Sequence, residues 1–285
     1  MNLDTFDAAQ VEAALTDCGA LSVTFTDAGD DPILEPAPGE VPLWTNTRVT
    51  ALFDAGSDLA NLTSLLESKL GVSVLPTNHV EDLADQQWER KWLQDFAPMQ
   101  FGKRLWVIPG DTTPPDLAAV NLHLDPGLAF GTGTHSTTAL CLEWLDRIDV
   151  TGLSLFDFGC GSGILSVAAA RLGADKVMAV DVDLQALLAT QQNAGRNGVS
   201  EKLRISEHYD ESSGPHDIVV ANILAETLID NVDFIYSATK PRGKIALSGI
   251  LTDQVVAVSE AFCPRFVLDA PVYQQDWALL SGMRK

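Results

Sequence analysis

The stretch DFGCGSGIL, residues 157–165, sets three glycines at alternate positions, Gly159, Gly161 and Gly163, between the apolar run LSLF (153–156) and the helix-like SVAAARLG (166–173). A strand that turns through bare backbone into a helix marks the ligand end of a doubly wound sheet. Glycine tolerates unusual backbone angles there and lets a ligand approach the main chain, while a helix starting near Ser162 favours a negatively charged group beside it. Downstream, KVMAVD (176–181), KLRIS (202–206), HDIVVAN (216–222) and GKIALSG (243–249) read as strands, and helices are expected over 162–172, over 183–197, from about 223 and from about 252. Strands alternating with helices build a parallel sheet. The tail FVLDAPVYQQDWALLSGMR (266–284) offers two more strands without a helix between them, which fits an antiparallel hairpin closing one edge of a seven-stranded α/β sheet.

Upstream the pattern changes. FDAAQVEAALTDCGA (6–20) has helical spacing and LSVTFTD (21–27) alternates; after a Pro/Gly/Asp-rich loop (28–44), RVTALFD (48–54), SDLANLTSLLESKLG (57–71) and VSVLP (72–76) read as strand, helix and strand. This order suggests a small α+β domain of ferredoxin-like type over residues 1–80, with NLDTF (2–6) as a short or missing first strand. LADQQWERKWLQDF (83–96) puts Trp88, Trp92 and Phe96 on one helical face and reads as a linker helix within 81–100, ahead of a second domain over 101–285 that begins with the strand-like RLWVIPG (104–110).

The chain has 285 residues, 46% hydrophobic, and a net charge of −21. Residues 1–100 hold 17 acidic against 4 basic side chains. Such a field repels nucleic-acid backbone and attracts a basic partner, although an acidic surface serving only solubility is the plain alternative. No apolar run approaches the roughly 20 residues that would span a bilayer, and the N-terminus carries acids where a leader would carry positive charge, so a cytoplasmic protein is expected. Cys18, Cys141, Cys160 and Cys263 lack metal-ligand spacing, consistent with reduced thiols and no metal site. No signal for an obligate oligomer is present, and a monomer is the expectation.

Two ligand classes compete for the glycine loop. Gly161, Gly163 and Ser166 nearly satisfy a dinucleotide fingerprint, and Asp181, 22 residues beyond Gly159, suits a pair of ribose hydroxyls. Against a nicotinamide stands Asp157, placed close to where a pyrophosphate would lie; a cationic ligand suits it better. The D-x-G-x-G-x-G spacing matches S-adenosylmethionine-dependent methyltransferases. Upstream, LDPGLAFGTGTHSTTALCLEWL (124–145) is a Gly/Thr-rich loop entering a helix without the Lys of a P-loop, and VVANIL (219–224) ends a strand on Asn222.

Together DPGLAFGTGTHSTTALCLEWLD, DFGCGSGILSVAA, VDVDLQAL and VANIL resemble, in order, the ribosomal protein L11 methyltransferase family, and the likeness covers almost the whole chain. The resemblance implies a class I methyltransferase domain behind a substrate-recognition domain, S-adenosylmethionine as cofactor, and methylation of lysine and N-terminal amines of the basic ribosomal protein L11. It matches Thr138, Gly159, Asp181 and Asn222 to cofactor-contacting positions, with Phe130, Gly131, Gly161 and Gly163 walling the same pocket. Asn222 is the candidate catalytic residue, aiming the acceptor amine; its bland alternative is a helix cap. His135 is either a general base or a structural residue of its loop. Ser136, where the family usually has Pro, and Glu226 and Thr227, in place of Gly-Pro, are departures. A methyltransferase for another protein or small amine, and a cofactor-binding regulator without catalysis, remain as alternatives.

Overall fold

The computed structural model describes residues 1–3, 6–29, 42–82, 97–110, 112–124 and 135–285, which fall into two compact units, Met1–Gln87 and Trp88–Lys285. The expected linker helix lies on residues 83–96, outside the described residues.

In the first unit Asp7 caps helix α1 (Ala8–Asp17) by accepting from Gln10 N at 3.0 Å. Strands β1 (Ser22–Asp27) and β2 (Thr47–Leu52) pair antiparallel, and α2 (Leu59–Leu70) follows. Among the described residues of the expected first strand, Asn2 forms a bridge to Arg48, flanked by the Leu3 N to Thr47 O bond of 2.8 Å. Val11, Leu15, Val49, Leu66 and Leu70 close a small core. VSVLP forms no strand. Gly71, in the left-handed region at φ 68°, ends α2, and the Val72 N–H is consumed on Glu67 O at 3.0 Å in a Schellman-type cap. Val74 is left 77% exposed and Pro76 has no N–H to donate to a ladder.

The first described elements of the second unit form a three-stranded sheet in the order β3 (Met99–Phe101), β4 (Leu105–Pro109), β5 (Val120–Leu124), of which only β4 is apparent in the sequence. The buried Asp146 carboxylate holds the β3–β4 turn by accepting from Lys103 N at 2.7 Å and Arg104 N at 3.1 Å. Asn197 completes the free edge of β5 like a missing strand, accepting from His123 N at 2.8 Å and donating to His123 O at 2.7 Å.

The main sheet runs β6 (Ser154–Phe158), β7 (Lys176–Val180), β8 (Leu203–Ser206), β9 (His216–Asn222), β10 (Thr239–Leu251), β11 (Phe266–Leu268), β12 (Val272–Gln274) and β13 (Trp277–Arg284). Its order is β11-β13-β10-β9-β6-β7-β8; β11 and β12 both pair β13 and act as one interrupted edge strand, so the sheet has seven positions. The strands from β8 to β10 are parallel, and β13 returns antiparallel beside β10. This is the doubly wound α/β sheet read from the sequence. One face carries α3 (Ser136–Arg147), α4 (Ile164–Arg171) and α5 (Leu184–Arg196), with the three-stranded sheet packed on them. The other carries α6 (Ala225–Asp230), α7 (Val232–Ala238) and α8 (Val255–Phe262). The expected helix from 223 is two, divided at Asn231. No described helix is long and apolar enough to cross a membrane.

Candidate active site at the carboxyl ends of the strands

The sheet order reverses between β6 and β9, and ligands of open α/β sheets bind beyond the strand ends at such a point. Gly159, Gly161 and Gly163 fill the β6–α4 turn with φ of 78°, 54° and 76°, a left-handed region costly for any side chain. The loop is tied to β7 because Gly159 N and Cys160 N both donate to Val180 O, at 2.8 and 3.0 Å.

Polar side chains gather at these strand ends. Asp181 accepts from Gly161 N at 2.9 Å through Oδ2 and from Asp183 N at 3.0 Å through Oδ1. Asp157, 1% exposed, accepts from Ser166 N at 3.1 Å and Ser166 Oγ at 2.7 Å through Oδ2, while its Oδ1 is buried with no partner among the described residues. Burial pushes its carboxyl up to about 7, against the pull of the Ser166 bonds, and the nearby Asp181 adds to the rise. Asn222 closes β9. Its Nδ2 donates to Thr138 Oγ1 at 3.3 Å, and its Oδ1 is buried without a partner among the described residues. Thr138, fully buried on α3, thus meets Asn222 across 84 residues of chain.

Close packing sets the strand ends. A Cβ on Gly159 would lie 2.3 Å from Ile223 Cγ2, and one on Gly249, at φ 80°, would lie 2.3 Å from Ile223 O. The residue after Asn222 is therefore held between two glycines. His135 serves as N-cap of α3: its Nδ1 accepts from Thr137 N at 3.4 Å and lies 2.8 Å from Thr137 Oγ1, with Trp277 edge-on at 4.9 Å. Burial lowers its pKa. This geometry favours the structural reading of His135. Ser136 donates to Gln275 Oε1 at 2.6 Å, a bond the proline usual in the family has no donor to make. Cys160 is buried, which raises its thiol pKa and works against a nucleophilic thiolate.

Thr138, Gly159, Gly161, Gly163, Asp181 and Asn222 all lie on these elements; Phe130 and Gly131 are outside the described residues. The sequence reading overlooked Val182 and Leu224, apolar residues 90% and 57% exposed directly after Asp181 and two residues after Asn222. Their signal was there: a large aliphatic side chain just past the end of a buried strand has no core to enter.

Residues 1–285 match the family described as "Ribosomal protein L11 methyltransferase (PrmA)". The chain is 50% identical over 279 residues to the ribosomal protein L11 methyltransferase of Methylococcus capsulatus, covering 98% of this chain and 95% of the relative. It is 47% identical over 286 residues to that of Actinobacillus pleuropneumoniae, covering 100% and 98%. The crystal structure of the ribosomal protein L11 methylase from Lactobacillus delbrueckii subsp. bulgaricus superposes with a TM-score of 0.61 at 32% identity, covering 67% of this chain and 100% of that one. With the seven-position sheet and its glycine turn, these matches place the chain in the ribosomal protein L11 methyltransferase family, whose members are S-adenosylmethionine-dependent enzymes.

Proposed function

We propose that this chain transfers methyl groups from S-adenosylmethionine to amino groups of ribosomal protein L11, both lysine side chains and the N-terminal α-amine. The observation that carries the reading is Asn222: a half-buried amide fixed by Thr138 at its nitrogen, whose buried oxygen has no partner among the described residues. An unsatisfied buried acceptor costs about 1–3 kcal/mol, so its retention at a ligand end points to a donor that arrives with the substrate.

The strand ends fit the cofactor. The bare loop of Gly159, Gly161 and Gly163 admits close approach to the main chain, Asp181 suits ribose hydroxyls, and exposed Val182 beside it offers an apolar surface for a base. Asp157, with one oxygen unpaired among the described residues, suits a positive charge. Thr138 holds Asn222, and Phe130 and Gly131 would wall the same pocket. When bound, the cofactor supplies a methyl group on a positively charged sulfur, an electrophile that needs little covalent help. The protein's task is then to position an amine with its lone pair free. A lysine with pKa near 10.4 is neutral in roughly one molecule in 2,500 at pH 7, a deficit of about 4.6 kcal/mol, against about 1–1.4 for an α-amine. Asn222 Oδ1 accepts a hydrogen bond from the neutral amine without the negative charge that would keep it protonated, and desolvation lowers the amine's pKa in the required direction.

The first unit supplies the substrate contact in this reading. Of the −21 net charge, −13 falls within residues 1–100, and an acidic surface captures a basic ribosomal protein while repelling nucleic acid. A monomer working in the cytoplasm completes the proposal. Its test is to incubate the protein with S-adenosylmethionine and unmethylated L11 and weigh the L11 intact. Additions in steps of about 14 Da per methyl, absent with Asp181→Ala, are expected. An unchanged mass with wild-type enzyme overturns the assignment of L11.

A further inference from the structure

Helix α5 turns a buried polar edge toward the glycine loop. Thr190 and Asn193 are 0% and 2% exposed, and buried polar groups cost free energy unless paired. Both reach loop carbonyls: Thr190 Oγ1 donates to Gly161 O at 3.0 Å, and Asn193 Nδ2 donates to Ser162 O at 2.8 Å. Two successive peptide planes, 161–162 and 162–163, are thereby pinned from one helix. The same residue Gly161 turns its N–H to Asp181 Oδ2 at 2.9 Å, so the loop's main chain links Thr190 to the strand-end acid. The approach is close enough that a Cβ on Gly163 would lie 2.6 Å from both Thr190 Oγ1 and Thr190 Cγ2, and 2.9 Å from Thr190 Cα.

We infer that Thr190 and Asn193 are positioning residues for the cofactor, acting through Gly161 and Ser162 to hold the loop and Asp181 in the binding geometry before the ligand arrives. Apolar side chains would fill this helix face without the cost of burying a hydroxyl and an amide, and the two groups are placed where loop orientation is decided. The inference rests on the reading of the 159–163 loop as the S-adenosylmethionine site.

Calorimetric titration with S-adenosylmethionine tests it, with thermal melts alongside. Thr190→Val keeps the volume and removes the hydroxyl; about tenfold weaker binding is expected, the scale of one preorganising hydrogen bond. Thr190→Ser restores the hydroxyl and is expected within about twofold of wild type. In turnover, Thr190→Val should raise KM for the cofactor with kcat nearly unchanged. Ser154→Ala, at the opposite end of β6, serves as the stability control: a lower melting temperature with unaltered affinity. Asn193→Ala provides the second variant should Thr190→Val fail to fold. The inference is overturned if Thr190→Val or Asn193→Ala binds like wild type, if Thr190→Ser binds as weakly as Thr190→Val, or if Ser154→Ala weakens binding equally. If wild type itself shows no binding, the cofactor reading falls first and this inference with it.

Discussion

The two ends of strands β6 and β9 hold polar groups of similar kind in opposite conditions. At the amino ends, Asp217 Oδ2 accepts from Ser154 N at 2.9 Å, Ser154 Oγ at 2.7 Å and Lys240 Nζ at 2.8 Å. At the carboxyl ends, Asp157 Oδ1 and Asn222 Oδ1 are buried with no partner among the described residues. The same two strands thus carry a satisfied carboxylate cluster at one end, beside a His216 ring whose two buried nitrogens have no partner among the described residues, and two unpaired acceptors at the end where the proposed ligand binds. Saturated bonds favour stability; open acceptors favour chemistry.

The contrast breaks most directly at Asn222. Asn222→Ala is expected to lower turnover about a hundredfold or more, the scale of one preorganised polar group, with little change in melting temperature. A near-normal single-turnover rate would remove the residue from the mechanism.

The two aspartates sharpen the comparison because their pKa values move in opposite directions. Burial holds Asp157 up at about 7, above its unfolded value, so its contribution to stability is full below the unfolded pKa and is lost as pH rises through about 7. For Asp217, burial would raise the value, but Lys240 and Ser154 outweigh it and hold the carboxyl at about 2. Its contribution is present above the unfolded pKa and is lost as pH falls toward about 2. At pH 8, Asp157→Asn should therefore raise the melting temperature by about 2–4 °C and weaken cofactor binding, whereas Asp217→Asn should lower the melting temperature by a similar amount with cofactor affinity intact. Shifts of the same sign in both variants would erase the distinction between the two ends. In acid, the wild-type protein should lose stability below about pH 4 more steeply than Asp217→Asn, read from urea midpoints at successive pH values.

The smallest expected effect concerns the acidic first unit. Raising salt from about 50 to 300 mM should increase KM for the protein substrate severalfold and change cofactor affinity little. A KM indifferent to salt would leave the charge of residues 1–100 without a role in capture.

Much of the main sheet could be read from the chain alone because its strands are buried on both faces and appear as continuous apolar runs such as HDIVVAN. The glycine turn, Asp181 and Asn222 were legible because each stands where a strand ends. What escaped depends on distant partners. β5 takes its pairing from β4 and its edge bonds from Asn197, 74 residues beyond His123. VSVLP alternates like a strand, but the cap of α2 consumes its first N–H. Thr190 and Asn193 looked like ordinary polar residues on a helix, since nothing local reveals that Gly161 and Ser162 face them.

The grip on Ile223 has a consequence for redesign. The obstacle at position 159 is a side-chain methyl, so trimming Ile223 to Ala removes that clash and leaves the backbone angle and, in the proposed reading, the cofactor's approach to the main chain to oppose a larger residue there. The obstacle at position 249 is Ile223's own carbonyl oxygen, which no substitution at 223 takes away. A library that varies positions 159 and 223 together therefore has sequence space to explore, while position 249 stays closed in every combination and is best left out of the randomised set.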